Sequence, residues 1–329
     1  MTGQDGARGK RSSRPGREAV TGVATGRRRR GEQPVVPDTE FTSYYGKPII
    51  NAPVWRSPDI PGYLFLGGLA GASSLLGAGA QATGRPRMAT TAKVGAFGAI
   101  GLSLVALVHD LGRPARFLNM LRVFKPTSPM NIGSWLLAGY GPLAGAAAAS
   151  AVTGRLPRLG AAATAGSAVL GPAVAAYTGA LISDTAVPAW HDGYRELPYL
   201  FAGSGATAAG GLVLLADPAG DTGPARNLAV FGVALELGSF KRMERRLGMV
   251  AEPYRTGRAG RYLRAGEVLS VAGAAGAVLG RRSRLGKVLS GAALLAASAC
   301  TRWGIFHAGK ASADDPRYTV VPQRRRLRN

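Results

Sequence analysis

The sequence predicts an all-α, polytopic membrane protein, with eight transmembrane helices in a bundle and both termini on the cytoplasmic side. Three observations carry this. From residue 58 onward the chain contains eight apolar stretches of about 17 to 25 residues, the length that crosses a hydrocarbon core of roughly 30 Å. These stretches are dense in Gly and Ala, with 48 Gly among 329 residues, and small residues let helices approach closely where lipid supplies no hydrophobic drive for pairing. The 41 basic residues, set against 18 acidic ones, cluster between long uncharged segments, as cationic loops do on one side of a membrane. Open strands cannot cross lipid, so the spans are helices.

Residues 1–38 are rich in Gly, Arg, Ser and Pro and carry RRRR at 27–30. They read as a disordered basic tail, because they cannot bury enough apolar area to offset the entropy of ordering. No short apolar region with a small-residue cleavage site comes directly after them, so neither a signal peptide nor a twin-arginine signal is expected. Residues 39–60 read as an interfacial linker. The membrane domain, 61–308, holds spans at 61–82, 91–109, 131–153, 159–183, 197–216, 225–241, 263–280 and 284–307, the sixth being the weakest. Residues 309–329 read as a basic C-terminal tail. With the N-terminus inside, the cytoplasmic side receives 30 Lys and Arg and the other side 10, which fixes the orientation.

Composition also excludes function classes. A net charge of +23 would suit a nucleic-acid partner, but attraction to anionic lipid accounts for the same charge, and no nucleic acid is expected. The single cysteine, Cys300, rules out an internal disulfide and an iron–sulfur cluster held by this chain alone. Only His109 and His307 could pair as bis-imidazole ligands, since His191 falls in a loop, so no haem is expected. No HExxH, CxxC or P-loop pattern is present, and GxGxxG spacing carries nothing in so glycine-rich a chain; no metal bound by this chain is expected.

Ionisable residues inside spans are functional candidates, because burying a charge in lipid is costly. His109 and Asp110 end the second span and Asp184 ends the fourth, each at the cytoplasmic side. TAVPAWHDGYRELP (185–198) continues as a loop with Trp190 and His191. Glu236 lies late in the sixth span, Glu267 early in the seventh, Arg302 and His307 near the end of the eighth, and Asp59 and Tyr63 open the first. All sit in or near the cytoplasmic half. A proton pump or charged-substrate transporter needs polar groups staggered through the full depth. A single amphiphile site near one interface, with an apolar tail among the helices and a polar head near these side chains, is the simpler reading.

Plainer readings stand beside the functional ones. Arg113, Arg116 and Arg122 are loop cations that orientation alone explains. Asp110 beside Arg113 is as well an ion pair closing a helix end as a ligand. His307 reads as interfacial, and Tyr63 and Trp190 fit an aromatic belt. Glu236 and Glu267 are harder to dismiss, although Lys241 and Arg242 lie near the first and Arg264 near the second.

The run HDLGRPARFLNMLRVFKPTSPMNIGSWLL (109–137) resembles the NrfD, or polysulfide reductase membrane subunit, family. The likeness extends to YLFLGGLAGASSLL (63–76), to YTGALISDTAVPAWHDGYRELPYLFAGSG (177–205) and to HAGKASADDPRYTVVPQRRR (307–326), and its most specific part is the DLGRP loop together with the RF and NMLRVFKPTSPM residues after it. The resemblance implies eight transmembrane helices, no haem, a bound quinone, and docking to a 4Fe-4S ferredoxin-like iron–sulfur subunit that leads to a molybdopterin-type catalytic subunit, with a formate dehydrogenase-like partner favoured. On it, the DLGRP loop lies where that partner docks and the quinone head enters. Quinone-binding candidates are then Tyr63, His109, Asp110, Arg113, Tyr177, Asp184 and His191. Reducing a quinone takes two electrons and two protons, so Asp110, Asp184, Glu236 and Glu267 are the proton-transfer candidates. Asp110 would orient Arg113 or accept a proton near a quinone oxygen. Menaquinone is the expected quinone and the bacterial plasma membrane the expected setting, with the chain not catalytic alone. The chain departs from relatives at Tyr63, where a His can stand, and at Asp184, where a small residue is expected. Two other classes stay open. A permease for a small neutral solute needs a polar path to the outer face. A purely structural anchor would tolerate substitution at Asp110, Tyr177 and Asp184.

Overall fold

Local chemistry sets the helix boundaries. The computed structural model describes residues 49–51, 53–112 and 119–326; the basic tail 1–38 and the start of the linker lie outside the described residues. Helix α1 (Asp59–Ala82) precedes α2 (Pro86–Asp110), α3 (Pro129–Thr153) and α4 (Pro157–Ser183), three helices with proline in the first turn. There the missing N–H costs nothing and the fixed φ suits the helix. Gly154, at φ 68°, ends α3 in the left-handed conformation that glycine adopts without strain. A short α5 (Pro188–Asp192) leads to α6 (Leu197–Ala216) and α7 (Gly223–Leu247). A 3₁₀ turn, Gly248–Ala251, and α8 (Glu252–Arg255) connect to α9 (Gly257–Leu279), α10 (Arg284–Asp314) and α11 (Arg317–Arg326).

Seven of these helices, α1, α2, α3, α4, α6, α9 and α10, are long and apolar enough to cross a membrane, counted among the described residues. The protein is therefore a multi-pass helical membrane protein. The remaining expected span, 225–241, forms α7, which matches the others in length. Arg226, Asn227 and Glu236 interrupt its apolar run and its last turns carry Lys241, Arg242, Glu244, Arg245 and Arg246, which keeps it below the hydropathy of its neighbours. α10 runs on past the expected end at 307 to Asp314, and α11 takes up ten of the 21 residues of the expected tail.

Short connections make successive long helices antiparallel neighbours: α1 with α2, α3 with α4, α6 with α7 and α9 with α10, while α1 also meets α4, α6 and α10. The apolar stretches of α1 and α6 are 72% buried, against 28% for α3 and α9, so α1 and α6 form the centre and α3 and α9 the outside. Glycine makes this centre possible. A Cβ on Gly71 would stand 2.2 Å from the carbonyl oxygen of Gly171 on α4, and one on Gly205 would stand 2.7 Å from that of Gly68. At such separations backbone meets backbone, and dispersion takes over the work that the hydrophobic effect does in water.

The segment after α4 differs from its expected form. In place of an interfacial loop with Trp190 in an aromatic belt, the chain forms α5, and Trp190 on it is fully buried. Its indole stacks on Trp55 at 5.5 Å between ring centroids and its Nε1–H donates to the carbonyl of Ile305 at 2.8 Å. Gly309 of α10 admits it, since a Cβ there would lie 1.9 Å from the indole. An aromatic ring with one N–H is as well served by a buried carbonyl as by an interface.

The close crossing predicts an outcome for single methyl groups. Gly171→Ala should cost about 1 to 3 kcal/mol through overpacking, and lower the thermal unfolding midpoint in detergent. Gly79→Ala, where a Cβ meets nothing within 4 Å, should leave it unchanged or raise it through helix propensity.

Candidate functional site

The end of the bundle that bears the starts of α1, α3, α6 and α9 and the ends of α2, α4, α7 and α10 is rich in arginine, and most of the expected site residues fall there. His109, in the last turn of α2, meets Asp59, the first residue of α1: Nδ1 and Oδ2 are 2.9 Å apart. The imidazole is 70% exposed and the carboxylate 15%, so the acid is a shielded base under an open ring. Asp110 accepts from the backbone N–H of Arg56 at 3.0 Å and so holds the linker against the end of α2. Arg113 lies outside the described residues.

The other expected residues are placed singly. Tyr63 is buried one turn into α1, and its carbonyl accepts from the Ser103 hydroxyl at 3.1 Å. Tyr177 packs its ring over Gly133, where a Cβ would stand 2.4 Å from it. Asp184 is exposed just past α4, and His191 Nδ1 is 3.2 Å from the carbonyl oxygen of Ser183. Of the six described quinone-binding candidates, His109 alone lines an apolar groove, a hollow of about 460 Å³ walled by Leu104, Val105, Val108 and Gly112 on the outward face of α2. A larger hollow, about 570 Å³, lies between the 3₁₀ turn and the α5–α6 loop. Arg195 and Arg246 wall it, which suits no apolar tail.

Below this surface the α5 segment is clasped from several sides. The Ala189 N–H donates to Ser312 Oγ at 3.2 Å, and its carbonyl accepts from the Tyr254 hydroxyl at 2.8 Å. Burial pushes the Tyr254 phenol up from its ordinary value, which keeps it a donor. Glu196, 3% exposed, receives Arg246 Nε at 2.9 Å, and Arg246 also donates to the Asp192 carbonyl.

The two glutamates expected to transfer protons diverge. Glu267 is paired at the surface with Lys241 at 3.2 Å rather than with Arg264. Glu236 is 2% exposed and its neighbours are not Lys241 and Arg242; it accepts from the Thr301 hydroxyl at 2.5 Å and from Thr207 at 3.4 Å. Arg302, fully buried, follows directly on Thr301 in α10. Its Nη2 donates to the Phe201 carbonyl at 2.6 Å and its guanidinium lies 3.7 Å from the centre of the Phe201 ring. Nε and Nη1 find no hydrogen-bond partner among the described residues. Two partners escape a reading of the sequence: Asp59, whose contact spans 50 residues, and Arg302, 66 positions from Glu236. Among the described residues no three His, Cys, Asp or Glu side chains converge as a metal site.

An antiparallel bundle of apolar helices with a polar, arginine-rich end defines a polytopic membrane protein. The family model described as "Polysulphide reductase, NrfD" matches residues 50–219, just over half of the chain. The chain belongs to the NrfD polysulphide reductase family. No curated protein matches it. Members of the family typically partner with redox subunits, and the chain fits a membrane subunit of a redox complex. The matched residues contain the groove, Asp59, His109 and α5; Glu236 and Arg302 lie beyond them.

The clasp predicts unequal roles for neighbouring arginines. Arg246→Ala strands the buried Glu196 carboxylate with only Arg242 at 3.8 Å and should cost about 3 kcal/mol or more. Arg242→Ala removes an exposed partner and should cost under about 1 kcal/mol. Thermal unfolding of the two variants in the same detergent checks both.

Proposed function

We propose that this chain is the quinone-interacting membrane subunit of a bacterial oxidoreductase complex, set in the plasma membrane with its arginine-rich end in the cytoplasm. It exchanges electrons with an iron–sulfur partner of 4Fe-4S ferredoxin type that serves a molybdopterin-type catalytic subunit, with a formate dehydrogenase-like assembly favoured. The observation that carries the reading is the groove on α2, apolar along its walls, in which His109, backed by Asp59, is the one polar side chain among the described lining residues. Ligand pockets of a few hundred Å³ with apolar walls and one convergent polar group are the usual form of such sites. A quinone, menaquinone on this reading, has the same division between tail and head.

The chain's own residues then do two things. Leu104, Val105 and Val108 hold the tail at the lipid boundary and keep water from it. With His109 Nδ1–H donating to Asp59, Nε2 is the ring atom offered to the head group, and it gives or takes one proton there. The quinone supplies the redox chemistry when bound. Asp110, Asp184 and Glu267, all at the same end, are proposed to relay protons between this ring and solvent. Tyr63, Tyr177 and His191 are proposed to shape the entry rather than hold the head. No haem or metal is assigned to the chain.

Quenching of tryptophan fluorescence by a menaquinone analogue, on the purified full-length chain in detergent, tests this. Wild type should show saturable binding. His109→Leu should weaken it about tenfold, the worth of one charge-assisted hydrogen bond, and Asp59→Asn by a smaller factor, because the ring remains but loses its orientation. Unchanged affinity in His109→Leu would move the head group elsewhere, and no saturable quenching by folded wild type would leave the chain a structural anchor.

A further inference from the structure

The groove makes no use of the charged cluster at mid-depth. Thr207 lies ten residues along α6 from Leu197, about 15 Å at 1.5 Å per residue, which is half of a hydrocarbon core of roughly 30 Å. Around it α7 supplies Glu236 and α10 supplies Ser298, Thr301 and Arg302, and Ser204 of α6 meets Ser298 at 2.8 Å. We propose that this cluster is a water-binding, proton-holding site inside the membrane, with Glu236 as the exchangeable carboxyl and Arg302 as its fixed counter-charge.

The geometry argues against a simple ion pair. A carboxylate and a guanidinium buried together for stability would close on one another, because only direct contact offsets the loss of hydration. Here the oxygens of Glu236 are turned to neutral hydroxyls, while Arg302 is anchored through Nη2 to the Phe201 carbonyl. Nε and Nη1 of Arg302 are left with three N–H bonds and no protein acceptor among the described residues. Buried donors are almost always satisfied, by ordered water where protein does not reach. A buried water needs two to four polar partners, and the open Arg302 N–H bonds, the Glu236 carboxyl and the Ser204–Ser298 hydroxyl pair supply them. Gly68 gives the guanidinium its place, since a Cβ there would stand 2.9 Å from Nη2.

The charges facing Glu236 are few. From α10 comes Arg302; from α6 come only hydroxyls; on α7 itself Lys241 is more than a turn away, engaged at the surface by Glu244 and by Glu267 of α9. Glu236 therefore answers to one cation and to the water beside it. The step is a proton exchange: a carboxylate oxygen takes a proton from hydronium, leaving water, and later returns it, and no electron moves. Hydroxyls that both donate and accept can pass that proton along. The proposal stands apart from the quinone reading, and no quinone enters its test.

Infrared difference spectra of the full-length chain in lipid vesicles, taken on acidification in H₂O and in D₂O, read the site directly. A carbonyl stretch of a protonated carboxylic acid, resolved from the bands of the exposed Asp and Glu side chains, should grow on acidification, shift in D₂O and be missing from Glu236→Gln. In Arg302→Lys, which keeps the charge but not the fork of donors, the band should change position. Elution as a single symmetric peak in size exclusion certifies each variant as folded. Absence of the band across the whole pH range in which wild type stays folded would mean a permanently ionised pair and overturn the proposal. So would a band that survives in Glu236→Gln, or one insensitive to D₂O. A band unmoved by Arg302→Lys would remove Arg302 from the site.

Discussion

Lipid offers apolar helices no reason to leave it, so a bundle such as this one must be held by contacts that lipid cannot make. Those contacts are concentrated on α1 and α6, whose backbones meet at Gly68 and Gly205; α1 also lies against α4 at Gly71 and Gly171, and α6 against α7 at Gly203 and Gly232 and against α10 at Gly211 and Gly291. Everything else is arranged around that centre. α2 and α10 reach α1 directly, α7 is brought in by α6, and α9 by α10. A second consequence of the same closeness is chemical. Where α1 crosses α6, Gly68 leaves just the space that the Arg302 guanidinium fills, so the packing that assembles the bundle also admits a charge to its interior.

The arginine-rich end obeys a different rule. Polar backbone outside a helix has to find partners, and the α5 segment finds them in Ser312, Tyr254 and Arg246. The result is a rigid floor under the mouth of the bundle. His109 and Asp59 sit at its edge, one turn of α2 from side chains that face outward. The exposed ring meets water while Val105, one turn back on the same helix, faces outward. That separation of media is what any amphiphile site at an interface requires.

The helices are legible in the sequence because apolar length is a local property. Segment 197–216 is bounded in the structure at the same residues, and the others differ by a few positions at their ends. The segment 225–241 is weak because Arg226, Asn227 and Glu236 break its apolar run. Partnership across the fold is another matter. Lys241 is five residues from Glu236 in sequence, yet it faces Glu267, and the cation near Glu236 comes from a helix much further along. Trp190 misleads by composition: an indole near an expected boundary looks interfacial until the glycine that receives it, Gly309, is known to be opposite. Asp59 opens the first span and His109 ends the second, and nothing short of the antiparallel pairing of α1 and α2 sets them side by side.

The linker before α1 is fastened by residues from the other end of the chain. Trp55 stacks on Trp190, and its carbonyl accepts from Lys310, 255 positions later. During synthesis α1 enters the membrane long before α10 exists. Until the last long helix has emerged, residues 53–58 have neither their ring partner's support from Ile305 nor the ammonium group that holds them. Before that, the Asp110 carboxylate on the Arg56 N–H already ties this approach to α2, and the linker gains its remaining contacts once α10 is in place.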